Sequence, residues 1–302
     1  MGTIPVSLPG IERIEDLEDP RLDPFRGIRD RELRGRDGVF MAESLRVVRR
    51  LLRSGRPVRE ILVTTTAAAE IDRELSAALD RESPPRIVEV PDGLQESIAG
   101  SRFHGGALAI GVRPRRDPPL EEILDAVERA EPDPRRRRIV LAEGVTHPDN
   151  IGSIFRSAAC LGAHAILLDG RCADPLLRKA IRYSMGRVFS LPWTTVADAS
   201  EAIGILRRRD YLLCAAETDA RAVPPWAIDR RRPIAIAVGA EAAGLPAATL
   251  AAADAVISIP VGESEASEPD DVASLNVSVA TAIVLAELRP DRPSGESDSL
   301  NR

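Results

Sequence analysis

Three short segments of this chain set polar side chains beside glycines where apolar runs end. The first is Val145-Thr146-His147-Pro148-Asp149-Asn150-Ile151-Gly152-Ser153-Ile154-Phe155-Arg156-Ser157-Ala158. The second is Ala237-Val238-Gly239-Ala240-Glu241-Ala242-Ala243-Gly244-Leu245. The third is Ile259-Pro260, followed after thirteen residues by Ser274-Leu275-Asn276-Val277-Ser278-Val279-Ala280. The Gly239 to Gly244 loop lacks the Lys-Ser/Thr of a phosphate loop, so it reads either as a tight turn or as backbone that something approaches closely. Arg156 keeps its proton up to a pKa of about 12.5. It can therefore hold an anion, and becomes a base only where a neighbouring cation and dry surroundings depress that value strongly. Cys160, Cys172 and Cys214 form no CxxC pair, and only His104, His147 and His164 could add imidazoles, so neither a disulfide framework nor a metal site is expected.

The elements that must position these residues alternate regularly. Val39-Phe40-Met41 reads as a strand, Glu43 to Arg53 as an amphipathic helix and Glu60 to Val63 as a strand. Ala69 to Leu79 reads as helix, Arg86 to Val90 as strand, Asp92 to Ala99 as a short helix and Ala107 to Val112 as strand. This predicts a small α/β domain over residues 20–113, preceded by a loose arm. The proline- and charge-rich stretch 114–136, with a helix-like run from Leu120 to Arg129, reads as a linker. In the second domain, 137–290, the runs at Arg138 to Ala142, Ala165 to Leu168, Tyr211 to Cys214, Ile234 to Val238 and Ala255 to Ile259 read as buried parallel strands. Val277 to Leu288 is the final helix, and a polar tail follows. No Gly-x-Gly-x-x-Gly follows either opening strand, which disfavours a dinucleotide dehydrogenase.

The 302 residues are 44% hydrophobic, enough for two cores, and carry a net charge of −6. Between Arg21 and Arg59, however, twelve arginines stand against five acids, either a solvated face or a surface for a polyanion. No apolar run reaches the roughly 18 residues of a membrane span, and no secretion signal opens the chain, so a cytoplasmic protein with no membrane partner is expected.

Together and in this order, the three segments resemble the SpoU (TrmH-like) family of RNA methyltransferases, members of the knotted SPOUT superfamily. Arg182-Tyr183-Ser184-Met185-Gly186, followed by Phe189-Ser190-Leu191-Pro192, is similar to the family's connection after its second strand. The first domain, with Phe40-Met41-Ala42-Glu43-Ser44 at a strand-to-helix join, resembles the ribosomal-protein-like RNA-binding domain that precedes many SpoU catalytic domains. The thirteen residues between Pro260 and Ser274 exceed the family's usual spacing and are acidic from Glu263 to Asp271. His147 stands where many relatives have Asp, and reads as loop structure.

The resemblance implies an α/β fold whose C-terminal parallel-sheet domain carries a trefoil knot, and a homodimer. It implies S-adenosyl-L-methionine as cofactor and 2′-O-methylation of a ribose in RNA, most directly ribosomal RNA. Transfer RNA, or an RNA-binding module without chemistry, are the alternatives. It assigns Asn150, Arg156, Glu241, Ser274 and Asn276 to catalysis, with Arg156 clamping the acceptor ribose or its phosphate. It assigns Gly239, Ile259, Leu275 and Arg182 to the cofactor, with Arg182 also a second candidate clamp. Asn150, beside Ile151, has a helix N-cap as its alternative reading, and the two roles can coexist.

Overall fold

The computed structural model describes residues 10–26, 38–99, 105–241, 243–260 and 275–290. The chain forms two compact units, Met1–Arg116 with Pro175–Ser190, and Asp117–Asp174 with Leu191–Arg302. Ser274, the acidic stretch 263–271 and the tail from 291 lie outside the described residues.

The first unit is a five-stranded sheet of β1 (Ile11–Arg13), β2 (Val39–Glu43), β3 (Val58–Thr64), β4 (Arg86–Val90) and β5 (Ala107–Val112), in the order β1-β4-β3-β5-β2. The strands β1, β4 and β3 run parallel, while β5 is antiparallel to both of its neighbours. Between the strands lie α1 (Leu45–Arg53), α2 (Thr65–Glu70), α3 (Asp72–Leu79) and α4 (Leu94–Ala99). α1 buries Val47, Val48, Leu51 and Leu52, the spacing of an amphipathic helix.

The structure departs from the sequence pattern at two places in this unit. The helix expected from Ala69 starts at Thr65, because the Thr64 hydroxyl accepts a hydrogen bond from the Ala67 amide and caps the turn; it then breaks at Ile71. Part of the expected N-terminal arm is built into the sheet through β1. There Ile14, Leu22 and Phe25 are buried, while Arg21 pairs with Glu12 and Asp19 outside.

The second unit opens with α5 (Leu120–Ala130), inside the stretch expected to be linker. Leu120, Ile123, Leu124 and Val127 of α5 join its core, so apolar burial outweighs the local density of proline and charge. There follow β6 (Arg138–Ala142), α6 (Pro148–Cys160) and β7 (Ala165–Asp169). The chain then gives α7 (Arg178–Tyr183) to the first unit, where α7 packs on β2, and returns as β8 (Trp193–Val196). The rest is α8 (Ala199–Arg208), β9 (Leu212–Ala216), β10 (Ile234–Val238), α9 (Ala247–Ala252), β11 (Ala255–Ile257) and α10 (Val277–Glu287).

All six strands are parallel, in the order β11-β9-β10-β6-β7-β8. β6 and β10 are neighbours, yet the chain winds away from them in opposite directions. The crevice at their carboxyl ends is where open α/β sheets bind ligands. At the opposite end, Arg138 is fully buried. It donates to the carbonyl of Leu288, closing the end of α10, and burial depresses its pKa to about 10. No helix among the described residues is long and apolar enough to cross a membrane.

Candidate active site

The start of α6 is fixed by sequence. His147 is the N-cap residue and Pro148 takes the first helical position, where its missing amide hydrogen has no partner to lose. Asn150 is therefore three residues beyond the cap, and its carboxamide is free for another use. Its Nδ2 donates to Glu241 Oε1 at 2.8 Å, and its Oδ1 accepts from Asn276 Nδ2 at 3.0 Å. Asn276 Nδ2 also donates to the same Glu241 oxygen.

Asn276 caps a different helix, α10. Its Oδ1 accepts from the Ser278 amide at 2.9 Å and from the Ser278 hydroxyl at 2.7 Å, at the start of α10. Asn150, Glu241 and Asn276, from three distant segments, thus form one closed polar triangle, with Asn150 buried at 9% exposure. Asn276 can accept at its cap and donate into the triangle at once because a carboxamide carries both functions.

Beside Glu241 a cleft of about 530 Å³ opens at the carboxyl ends of β9, β10 and β11. Gly239, Ile259, Leu275 and Glu241 all line it, together with Glu217 and Ile257. The glycines here answer to the loop itself. A methyl group on Gly239 would run into the Gly244 and Leu245 backbone, and one on Gly244, whose φ is +63°, would meet the Glu217 carboxylate. Glu217 accepts from the Leu245 amide at 2.8 Å and from the Thr218 amide at 3.0 Å, and so pins the loop to the end of β9. Sequence reasoning missed Glu217; its signal is an acid directly after an apolar strand.

Arg156 sits six residues beyond Asn150, about 240° further around α6. It is exposed and makes no hydrogen bond or ion pair with the described residues. Within one chain it therefore leaves the helix on a different side from the triangle. Arg182 lies in the first unit, where its guanidinium rests over the Tyr183 ring, 5.8 Å from the centroid. His147 is exposed.

A second depression at the ends of β6 and β7 holds Glu143, Asp169, Arg171 and Thr249. Burial pushes the Glu143 carboxyl up against the Thr249 hydroxyl that donates to it at 2.8 Å. Burial also acts on Asp169, but the Gly144 amide and the Arg171 guanidinium outweigh it and hold that carboxyl below its usual range. Burial pushes the Cys172 and Cys214 thiols up to about 12, which leaves neither as a nucleophile. Among the described residues no group of three or more His, Cys, Asp or Glu could hold a metal ion.

The SpoU rRNA Methylase family matches residues 137–286. An uncharacterized tRNA/rRNA methyltransferase of Mycobacterium tuberculosis is 31% identical over 284 residues, 92% of this chain and 91% of that protein. A 23S rRNA (guanosine-2′-O-)-methyltransferase of Bordetella pertussis is 29% identical over 243 residues, covering 80% of this chain and 92% of that one. Among solved structures, an AdoMet-bound rRNA methyltransferase from Sinorhizobium meliloti superposes with a TM-score of 0.73 at 25% identity, covering 92% of this chain and 97% of its own. With a likeness that spans both units and a family match that contains Asn150, Glu241 and Asn276, the chain belongs to the SpoU rRNA methylase family.

Proposed function

We propose that this protein transfers a methyl group from S-adenosylmethionine to the 2′-hydroxyl of a ribose in ribosomal RNA. The observation that carries this reading is the Asn150, Glu241, Asn276 triangle on the rim of a glycine-walled cleft, in a chain similar to a named 23S rRNA 2′-O-methyltransferase. The residues present fit the cofactor. A cleft of about 530 Å³ is within the ordinary range for a ligand of that size. Its Ile257, Ile259 and Leu275 offer apolar walls for a planar base, and the Glu217 and Glu241 carboxylates favour a cationic ligand. Bound there, the cofactor supplies a methyl group on a sulfonium, open to direct displacement.

The chain's own work is then placement and charge. Gly239 keeps the loop close enough for backbone groups to reach the ligand. The triangle holds the loop, the start of α6 and the start of α10 in one geometry. Arg156, a fixed cation, clamps the acceptor ribose or its phosphate, with Ser274 beside the same segment as Asn276.

Because Arg156 leaves α6 away from the triangle of its own chain, the reading includes a homodimer in which Arg156 serves the partner's cleft. The 47% exposure of Val279 on the apolar α10 supports this. The reading also includes a trefoil knot in the catalytic domain, an RNA-binding role for residues 20–113, and a cytoplasmic site of action. Titration calorimetry of the full chain with S-adenosylmethionine tests the site. Binding that Gly239→Ala weakens supports it, and a folded protein that takes up no cofactor at millimolar concentration overturns it.

A further inference from the structure

The exposed aromatic ring of α7 stands among cations. Lys179 Nζ lies 5.9 Å and Arg182 Cζ 5.8 Å from the centroid of Tyr183, and all three residues are exposed, Tyr183 by 41%. From Pro175 to Ser190 the chain carries Arg178, Lys179, Arg182 and Arg187 and not one acid. Arg178 is spent on Glu43 of β2. Arg182 has no carboxylate partner among the described residues.

The platform is held rigidly from below. Ala180 and Ile181 are buried, the buried Ser184 hydroxyl donates to the Ile181 carbonyl at 2.8 Å, and the Gly186 amide donates back to it at 3.1 Å. Met185 and Gly186 turn the chain through two positive φ values, 53° and 77°, and Arg50 of α1 donates to the Met185 carbonyl. A left-handed methionine is strained, and here it is locked by that guanidinium. An exposed ring on a fixed base, with two cations beside it, has the chemistry of a nucleobase-stacking platform: the ring takes a base and the cations take the flanking phosphates.

We propose that Tyr183, with Lys179 and Arg182, binds a single-stranded nucleotide of the substrate RNA. The proposal rests on RNA being the substrate class, and it names a contact outside the cofactor cleft. A protein partner would meet the same cations with acids, but would give no reason for an exposed ring with two cations within 6 Å of its centroid.

Filter binding of the full chain to unmethylated large-subunit ribosomal RNA at rising salt, with methyl transfer to the same RNA in parallel, tests it. Tyr183→Phe should bind like the parent, since the ring suffices. Tyr183→Ala should bind on the order of tenfold more weakly with an unchanged salt slope, because no phosphate contact is lost. Arg182→Gln should lower the slope by about one. Tyr183→Leu keeps apolar bulk without a π face; it should match the alanine variant, and it carries the comparison if that variant folds poorly.

Wild-type affinity in the alanine and leucine variants, with the parent active, overturns the proposal and leaves the substrate reading intact. Loss of self-association in sedimentation with RNA affinity unchanged also overturns it, by making the patch an interface between copies. A parent chain that neither binds nor methylates the RNA overturns the substrate reading, and the platform with it.

Discussion

At the residue scale, the side chains that build the proposed site differ from those proposed to act on the acceptor. Arg156 is exposed on α6 and unpaired among the described residues, so Arg156→Ala should leave the melting temperature nearly unchanged, within about 0.5 kcal/mol, because Ala is favourable in a helix. Methyl transfer should fall on the order of a hundredfold or more, since misplacing the acceptor alone costs that much. Parallel melts and turnover assays check both halves. Asn276 has two functions that substitution can part. Asn276→Ala removes the cap of α10 and should cost about 1 kcal/mol. Asn276→Asp keeps an acceptor for the Ser278 amide but loses the amide donor that faces Glu241 Oε1. It should hold more of the parent's stability than the alanine variant while losing turnover comparably; equal turnover in the aspartate variant and the parent would remove Asn276 from the site.

At the scale of elements, the depression beside β6 and β7 gives a pH signature. Burial raises the folded-state pKa of Glu143 above the ordinary 4.5, so ionising it opposes folding. The cost is absent below 4.5 and grows as pH rises through that window to the folded value. Glu143→Gln should therefore raise the melting temperature by a few degrees at pH 8 and leave it unchanged near pH 4, measured by calorimetry at both. How far elements can be read from sequence follows from the same burial. β6, β7, β9 and β10 are covered on both faces, so they stand out as continuous apolar runs. β1 and β8 were hidden, being sheet edges of three and four residues whose Ile-Glu-Arg and Trp-Thr-Thr-Val carry no such run. α5 was legible as a helix but not as core, because the prolines around it speak only of local conformation. The triangle is the hardest case. Its members lie 91 and 126 positions apart, so no local pattern joins them, and only the family resemblance brought Asn150, Glu241 and Asn276 together beforehand. Glu217, which pins the loop from β9, lies outside all three of those segments.

At the scale of the whole molecule, the proposal shares the site between two chains and gives RNA affinity to the first unit. Several arginines of the Arg21 to Arg59 cluster are already neutralised, Arg21 by Glu12 and Asp19, and Arg49 and Arg53 by Glu74. The salt dependence of RNA binding should accordingly be shallower than twelve arginines would give. Sharing of the site predicts that inactive Arg156→Ala and Asn276→Ala chains, mixed and allowed to exchange, recover part of the parent's activity in the mixed dimer; continued inactivity alongside proven exchange contradicts a composite site. Ribose 2′-O-methyl transfer to ribosomal RNA is read out by mapping ribose methylation across that RNA after incubation with the protein and S-adenosylmethionine. A 2′-O-methyl group should appear at a defined nucleotide, formed by the parent chain and not by Arg156→Ala. A methyl group found on a base, or ribosomal RNA left unmethylated while transfer RNA is modified, would contradict it.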